Sequence, residues 1–92
     1  MTYDTAEIRR EARKILRCKN QVSDSATPKL RSIRGEVSDS FRGAAAEALN
    51  DRLDDIDADV KAICGGLDAL YRALMRYADA LDEADERLAN SF

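Results

Sequence analysis

The chain has no histidine and no tryptophan, a single proline, four glycines and only 5% aromatic residues in a length of 92. Without His it lacks the commonest general acid/base and the commonest transition-metal ligand. Strand formers are sparse, and no segment alternates polar and apolar residues with period two. No apolar run approaches the ~20 residues that a membrane span requires. Met1 to Arg17 hold no apolar stretch of the signal-peptide type. These absences argue against a β fold, stable membrane insertion and secretion by a cleaved leader. The chain reads as soluble. If it leaves the cell, it does so by a signal-peptide-independent route.

What remains is the vocabulary of long amphipathic helices. The chain is 45% hydrophobic and 36% charged, with Ala, Leu, Arg, Asp and Glu dominating. Ninety-two residues make one domain, spanning 1–92, with little interior. The predicted fold is all-α, an antiparallel helix-turn-helix hairpin, and one hairpin of this size leaves apolar surface uncovered.

The second half is the most informative stretch. Leu49, Leu53, Ile56, Val60, Ile63, Leu67, Leu70, Leu74, Tyr77, Leu81, Ala84 and Leu88 follow one another at alternating steps of four and three. That is a heptad seam, and it predicts one helix over about 44–89, ~70 Å long at 1.5 Å per residue. A helix so long cannot fold on itself, so its seam must meet another helix. Gly65-Gly66 interrupts the side chains but not the phase. The pair marks either a bend or a place where a second backbone comes close.

The first half has the same character in weaker phase. Ile8, Ile15, Cys18, Val22, Ala26, Leu30, Ile33 and Val37 can share a face. Asp4 or Thr5 can cap the start, with Glu7 in the first turn. This helix is expected over about 5–38, with a kink or short break near Pro28. Proline removes a helical hydrogen bond, and Ser23-Asp24-Ser25 offers a fresh cap. Ser38 to Gly43 then form the turn, with Ser and Asp oxygens for capping and a glycine for unusual dihedrals.

Charge is segregated. Residues 1–42 hold ten Lys/Arg against six Asp/Glu, and residues 43–92 hold five against twelve. Two solvated faces account for this; so does a preference of the first segment to lie beside the second, in its own chain or a partner's.

The turn carries a resemblance. An aromatic-x-Gly triplet, Phe41-Arg42-Gly43, lies midway between two amphipathic helices in a chain of about 90 residues, and a small-residue run, Ala44-Ala45-Ala46, opens the second helix. This resembles the WXG family, the small ESAT-like helical hairpins of type VII secretion, with Phe in place of Trp. The resemblance implies two hairpins packed antiparallel into a four-helix bundle, as a homodimer or with a paralogous hairpin. It also implies recognition by a membrane-bound secretion ATPase and export in the folded state. Many family members carry a Tyr-x-x-x-Asp/Glu signal after the second helix. Here Leu81 stands four residues after Tyr77 and Met75 four after Tyr71, the nearest acids being Asp79 and Asp82. The export signal is therefore imperfect, or a partner supplies it.

Four sets of residues invite a chemical reading. Phe41, Arg42 and Gly43 close the end of the core, or help form a docking groove there. Cys18 and Cys64 are equidistant from the turn, so they are a candidate interhelical disulfide, or two reduced core thiols. Without His or a third Cys they make a poor metal site. The acids Asp51, Asp54, Asp55, Asp57 and Asp59, and then Asp79, Asp82, Glu83, Asp85 and Glu86, lack a calcium-loop pattern and read as solvated helix faces. The basic run Arg9, Arg10, Arg13, Lys14, Arg17, Lys19 reads as a solvated or salt-bridging face, since net negative charge and missing aromatics argue against nucleic acid.

No nucleophile-base pair or phosphate loop is visible, so catalysis and cofactors are not expected. The residues expected to form the core and interface seam are Ile8, Ile15, Val22, Ile33 and Val37 on the first helix. On the second they are Leu53, Ile56, Val60, Ile63, Leu67, Leu70 and Leu74. The rival to a secretion role is an intracellular coiled-coil adaptor or regulator.

Overall fold

The computed structural model describes residues 4–91. Two helices make up the fold: α1, Thr5–Ser40, and α2, Gly43–Asn90. They lie side by side as a rod measuring 74 × 17 × 15 Å. The radius of gyration, 21.2 Å, far exceeds the ~12 Å of a globule of this length. Shape alone therefore excludes a deep core.

Helix α1 begins as its sequence predicts. The Asp4 carboxylate accepts the backbone N–H of Glu7 at 3.1 Å, which satisfies one of the free donors of the first turn. Of the kink or short break expected near Pro28, the break does not occur: α1 is a single helix through that residue. Both Pro28 and Asp24, whose carbonyl loses its donor, are exposed. Water can serve that carbonyl, so the penalty falls short of what a buried proline would impose.

The turn is tighter than the sequence implied. Only Phe41 and Arg42 lie between the helices. Both are extended, with φ/ψ of −127/152 and −139/157. The Phe41 N–H donates to the Val37 carbonyl at 2.9 Å and closes α1. The capping serines have no such task, because Ser38 and Ser40 are still helical and α2 starts behind Arg42 with no side-chain cap. Gly43 takes φ +65, a left-handed value that disfavours any residue with a Cβ.

Helix α2 runs through Gly65-Gly66 without interruption. A Cβ at either glycine would meet nothing within 4 Å. Within this chain, then, no second backbone uses the space they leave.

Packing between the helices is thin. The buried apolar residues are Ala12, Leu30, Val37, Leu53 and Ala78. Leu30, Val37 and Leu53 cluster near the turn, with Ala46 against them. Toward the open end Ala12 and Ala78 are both wholly shielded, so the backbones approach closely there. Ion pairs bridge the helices along their length. Arg9 meets Asp79 and Asp82 at 2.8 and 2.7 Å, Lys19 meets Asp68 at 4.0 Å, and Arg34 meets Asp54 at 2.6 Å. In each, a base of α1 faces an acid of α2, so part of the segregated charge is matched inside the hairpin.

Candidate interaction surface

In a two-helix chain, burial periodicity shows which residues face the other helix. On α2, Leu53, Val60, Leu67, Leu74 and Leu81, spaced by seven, are buried or half-buried. So are Asp57, Cys64, Tyr71 and Ala78, on the adjoining edge. These two lines form the face that meets α1. A third line, Leu49, Ile56, Ile63, Leu70 and Tyr77, shares the heptad seam but remains exposed, at 37%, 48%, 55%, 48% and 52%.

The single seam read from the sequence is thus two surfaces. Leu53, Val60, Leu67 and Leu74 pack within the hairpin, and Ile56, Ile63 and Leu70 face outward. On α1, Ile8, Ile15 and Val22 are half-buried, Val37 is buried and Ile33 is exposed. Sequence reading passed over Ala12 and Leu16 of α1 and the Cys64-Tyr71-Ala78 edge of α2. The available signals were the four-residue step from Ala12 to Leu16 and the seven-residue spacing of Cys64, Tyr71 and Ala78, hidden by the small and polar residues among them.

Exposed side chains of this size on one helical edge are unusual for a chain that ends its packing there. Around them the surface is nearly smooth. Ala62, Gly66, Ala69, Ala73 and Ala80 are all exposed and lie on the turns beside Ile63, Leu70 and Tyr77. The result is an apolar strip along the rod with low shoulders, a surface suited to another helix.

The cysteines are not bonded to each other. Both are free, with Cys18 exposed and Cys64 half-buried. They do lie at one level of the hairpin, since the Cys64 thiol points at the Lys19 carbonyl at 3.8 Å. The angular position is what the sequence reading missed. The α1 residue that faces α2 at this level is Lys19, and Cys18 looks away, into a shallow groove shared with Val22 and Ala26. Phe41 is 45% exposed, so it does not close the core end as the simpler reading of the turn had it.

At the open end the polar contacts converge on Asp82. The Thr5 hydroxyl donates to it at 2.7 Å and Arg9 donates at 2.7 Å. These two bonds hold the Asp82 carboxyl below the usual carboxylate range. The same acids, Asp79 first and then Asp82, keep the Arg9 guanidinium more firmly protonated than usual. Half of the basic run of α1 is engaged in ion pairs: Arg9 here, Lys19 with Asp68, and Lys14 with Glu11 of its own helix at 2.9 Å. Among the described residues no group of three or more His, Cys, Asp or Glu is placed to hold a metal ion. Among the described residues, too, no helix is long and apolar enough to cross a membrane.

The class that the fold defines is a slender two-helix hairpin with an apolar heptad line left exposed on its outer edge. The comparison by family narrows the class. A family model described as proteins of 100 residues with WXG matches residues 1–86, and the chain belongs to this WXG100 family. Its members are ESAT-like proteins of type VII secretion. The triplet Phe41-Arg42-Gly43 stands between the two helices, within the matched residues. No curated protein and no solved structure matches the chain.

Proposed function

We propose that this protein is an export substrate, or the partner of one, in a type VII secretion system, and that it acts by helix pairing and not by catalysis. Two hairpins pack antiparallel through the outer line of α2 into a four-helix bundle, and the bundle is what the secretion ATPase recognises. The observation that carries this reading is the exposed line Leu49, Ile56, Ile63, Leu70, Tyr77 in a chain of this family. Fully burying a Leu or Ile contributes about 1.5–3 kcal/mol; the four Leu and Ile residues of the line, each about half exposed, with Tyr77 beside them, supply part of that apiece as a drive to associate. The Phe41-Arg42-Gly43 turn, with its exposed aromatic, adds a contact at the end of the bundle. The Tyr-x-x-x-acid pattern is incomplete around Tyr71 and Tyr77, so the partner hairpin supplies the export signal, or Asp79 and Asp82 serve at shifted spacing.

The test is a pair of substitutions read by light scattering. Leu70→Asp places a charge on the outer line and should abolish pairing while the helical circular dichroism of the hairpin persists. Leu67→Asp strikes the inner line and should lose both. An assembly unchanged by Leu70→Asp would remove the outer line from the function. Export of a tagged chain from cells with and without the secretion ATPase then separates a secretion role from that of an intracellular adaptor.

A further inference from the structure

Helix α1 does not turn its most apolar side to α2. Toward α2 it sets Ala12, Leu16, Lys19 and Ser23, all buried or half-buried, although one is charged and one carries a hydroxyl. Ile8, Ile15, Val22 and Ile33 lie to one side of that face, the first three half-buried and the fourth exposed. A part-turn of α1 about its own axis would centre these four on α2. Apolar burial alone favours the turned register, so another interaction holds α1 where it is.

The ion pairs supply that hold. Successive helical residues are 100° apart. Measured from Lys19, Arg9 and Arg34 fall about 60–80° to one side, and Ile8, Ile15, Val22 and Ile33 about 20–60° to the other. Arg9 meets Asp79 and Asp82, and Arg34 meets Asp54. On α2 the same arithmetic from Cys64 puts Asp54 and Asp79 to one side and the outer line from Leu49 to Tyr77 to the other. One long edge of the rod therefore carries the paired charges, and the opposite edge carries apolar residues of both helices. The turned register would swing both arginines outward, off their acids. Their side chains are only 25% and 36% exposed, so salt screens them less than charges standing free in water.

We propose that Arg9 and Arg34, acting through Asp79, Asp82 and Asp54, are positioning residues that fix the rotation of α1. That rotation keeps Ile8, Ile15 and Val22 at the edge of the hairpin beside the outer line of α2, so that a partner meets both helices at once. The assignment rests on the pairing reading above and names what selects the face presented to the partner. The two pins stand near opposite ends of α1, Thr5–Ser40, and together they restrain its whole length. Their part is to specify a geometry more than to add stability.

The free thiols report this rotation. Cys18 looks away from α2, and Cys64 points at the Lys19 carbonyl. The turned register carries Cys18 toward Cys64. Oxidised glutathione added to the full chain would then join them: two thiols lose two protons and two electrons, and the glutathione disulfide leaves as two thiols. The native chain should form this intrachain bond slowly. Arg9→Gln with Arg34→Gln should form it at least about tenfold faster, as the turned register gains population, while helical circular dichroism persists and the paired mass falls in light scattering. Added salt should speed the unaltered chain in the same direction. Arg34→Asp alone should raise the rate, and Asp54→Arg placed with it should restore the slow rate, which decides the matter even for a double glutamine variant that unfolds. Leu53→Ala weakens the core without touching an ion pair and should leave the thiols apart. Equal rates in Leu53→Ala and the double variant, an unchanged rate in the double variant, or a charge swap that restores nothing overturns the positioning role and leaves the pairing reading intact. Fast oxidation at an unchanged paired mass overturns the link between rotation and partner. Leu70→Asp tests the pairing reading separately, because it touches neither pin nor thiol.

Discussion

At the scale of single residues, the turn and the open end carry the sharpest constraints. Gly43 sits at φ +65, and a Cβ there opposes the following carbonyl. Gly43→Ala is expected to lower stability by about 1–2 kcal/mol, read as a shift of the urea midpoint, although no neighbouring atom blocks the added methyl group. At the other end Asp82 accepts bonds from Thr5 and Arg9, and its carboxyl is held below the ordinary value of 3.8. A depressed carboxylate stabilises the fold above its unfolded value and loses that contribution as pH falls through the folded value. Wild type should therefore be more stable than Asp82→Asn at neutral pH, and the difference should begin to shrink below about pH 4 and vanish only once the pH lies below the folded value. Denaturant midpoints for the two proteins, measured from pH 7 downward, check the sign. The cysteines show what residue-level reading can reach. Distance from the turn placed Cys18 and Cys64 correctly at one level. Which side of α1 faces α2 depends on azimuth, and a one-residue step to Lys19 turns the chain by 100°.

At the scale of elements, both helices contain residues that intrinsic propensity disfavours. Pro28 lies inside α1 on the solvent side. Pro28→Ala restores a backbone donor opposite the Asp24 carbonyl, and stability should rise by about 1–3 kcal/mol. Gly65→Ala in α2 should add about 1 kcal/mol, since a methyl group at that site meets open space. Ala78 is different. It is wholly shielded, as is Ala12, and Ala78→Leu would wedge the helices apart at a cost of about 1–3 kcal/mol. Thermal melts of these variants should therefore move in opposite directions, although all replace one helix-compatible or exposed residue by another.

The helices themselves were legible because heptad spacing and caps act locally. Asp4 caps α1, and Leu53, Val60, Leu67 and Leu74 are buried or half-buried. The fate of the proline was not legible, because it turns on whether one carbonyl meets water. Nor could spacing divide the seam. Leu53 and Ile56 belong to the same pattern, yet Leu53 is buried in the hairpin and Ile56 is exposed. A periodicity records which residues avoid water, without recording which chain covers them.

At the scale of the whole molecule, the rod has a surface without an interior. Its few buried residues are small or lie near the turn, so the hairpin has little buried apolar surface of its own to hold it together. Stability should therefore depend on protein concentration, with the melting temperature rising as the chains pair. A concentration-independent melt would show that the hairpin needs no partner. The charge imbalance belongs to this scale as well. The pairs of Arg9, Lys19 and Arg34 with acids of α2 bring the two unlike halves into alignment, and salt should weaken them.

The position of the one apolar cluster also sets an order of events. Leu30, Val37 and Leu53 lie close to the two-residue turn, so their contacts close short loops and form at low entropic cost. Contacts such as Arg9 with Asp82 close the longest loops in the chain. Folding should start at the bend and zip outward, and unfolding should start at the free ends and run back. Amide hydrogens around Leu30 and Leu53 should then exchange last, and those near the termini first, so that the rod opens like a clasp from one end while its hinge stays shut.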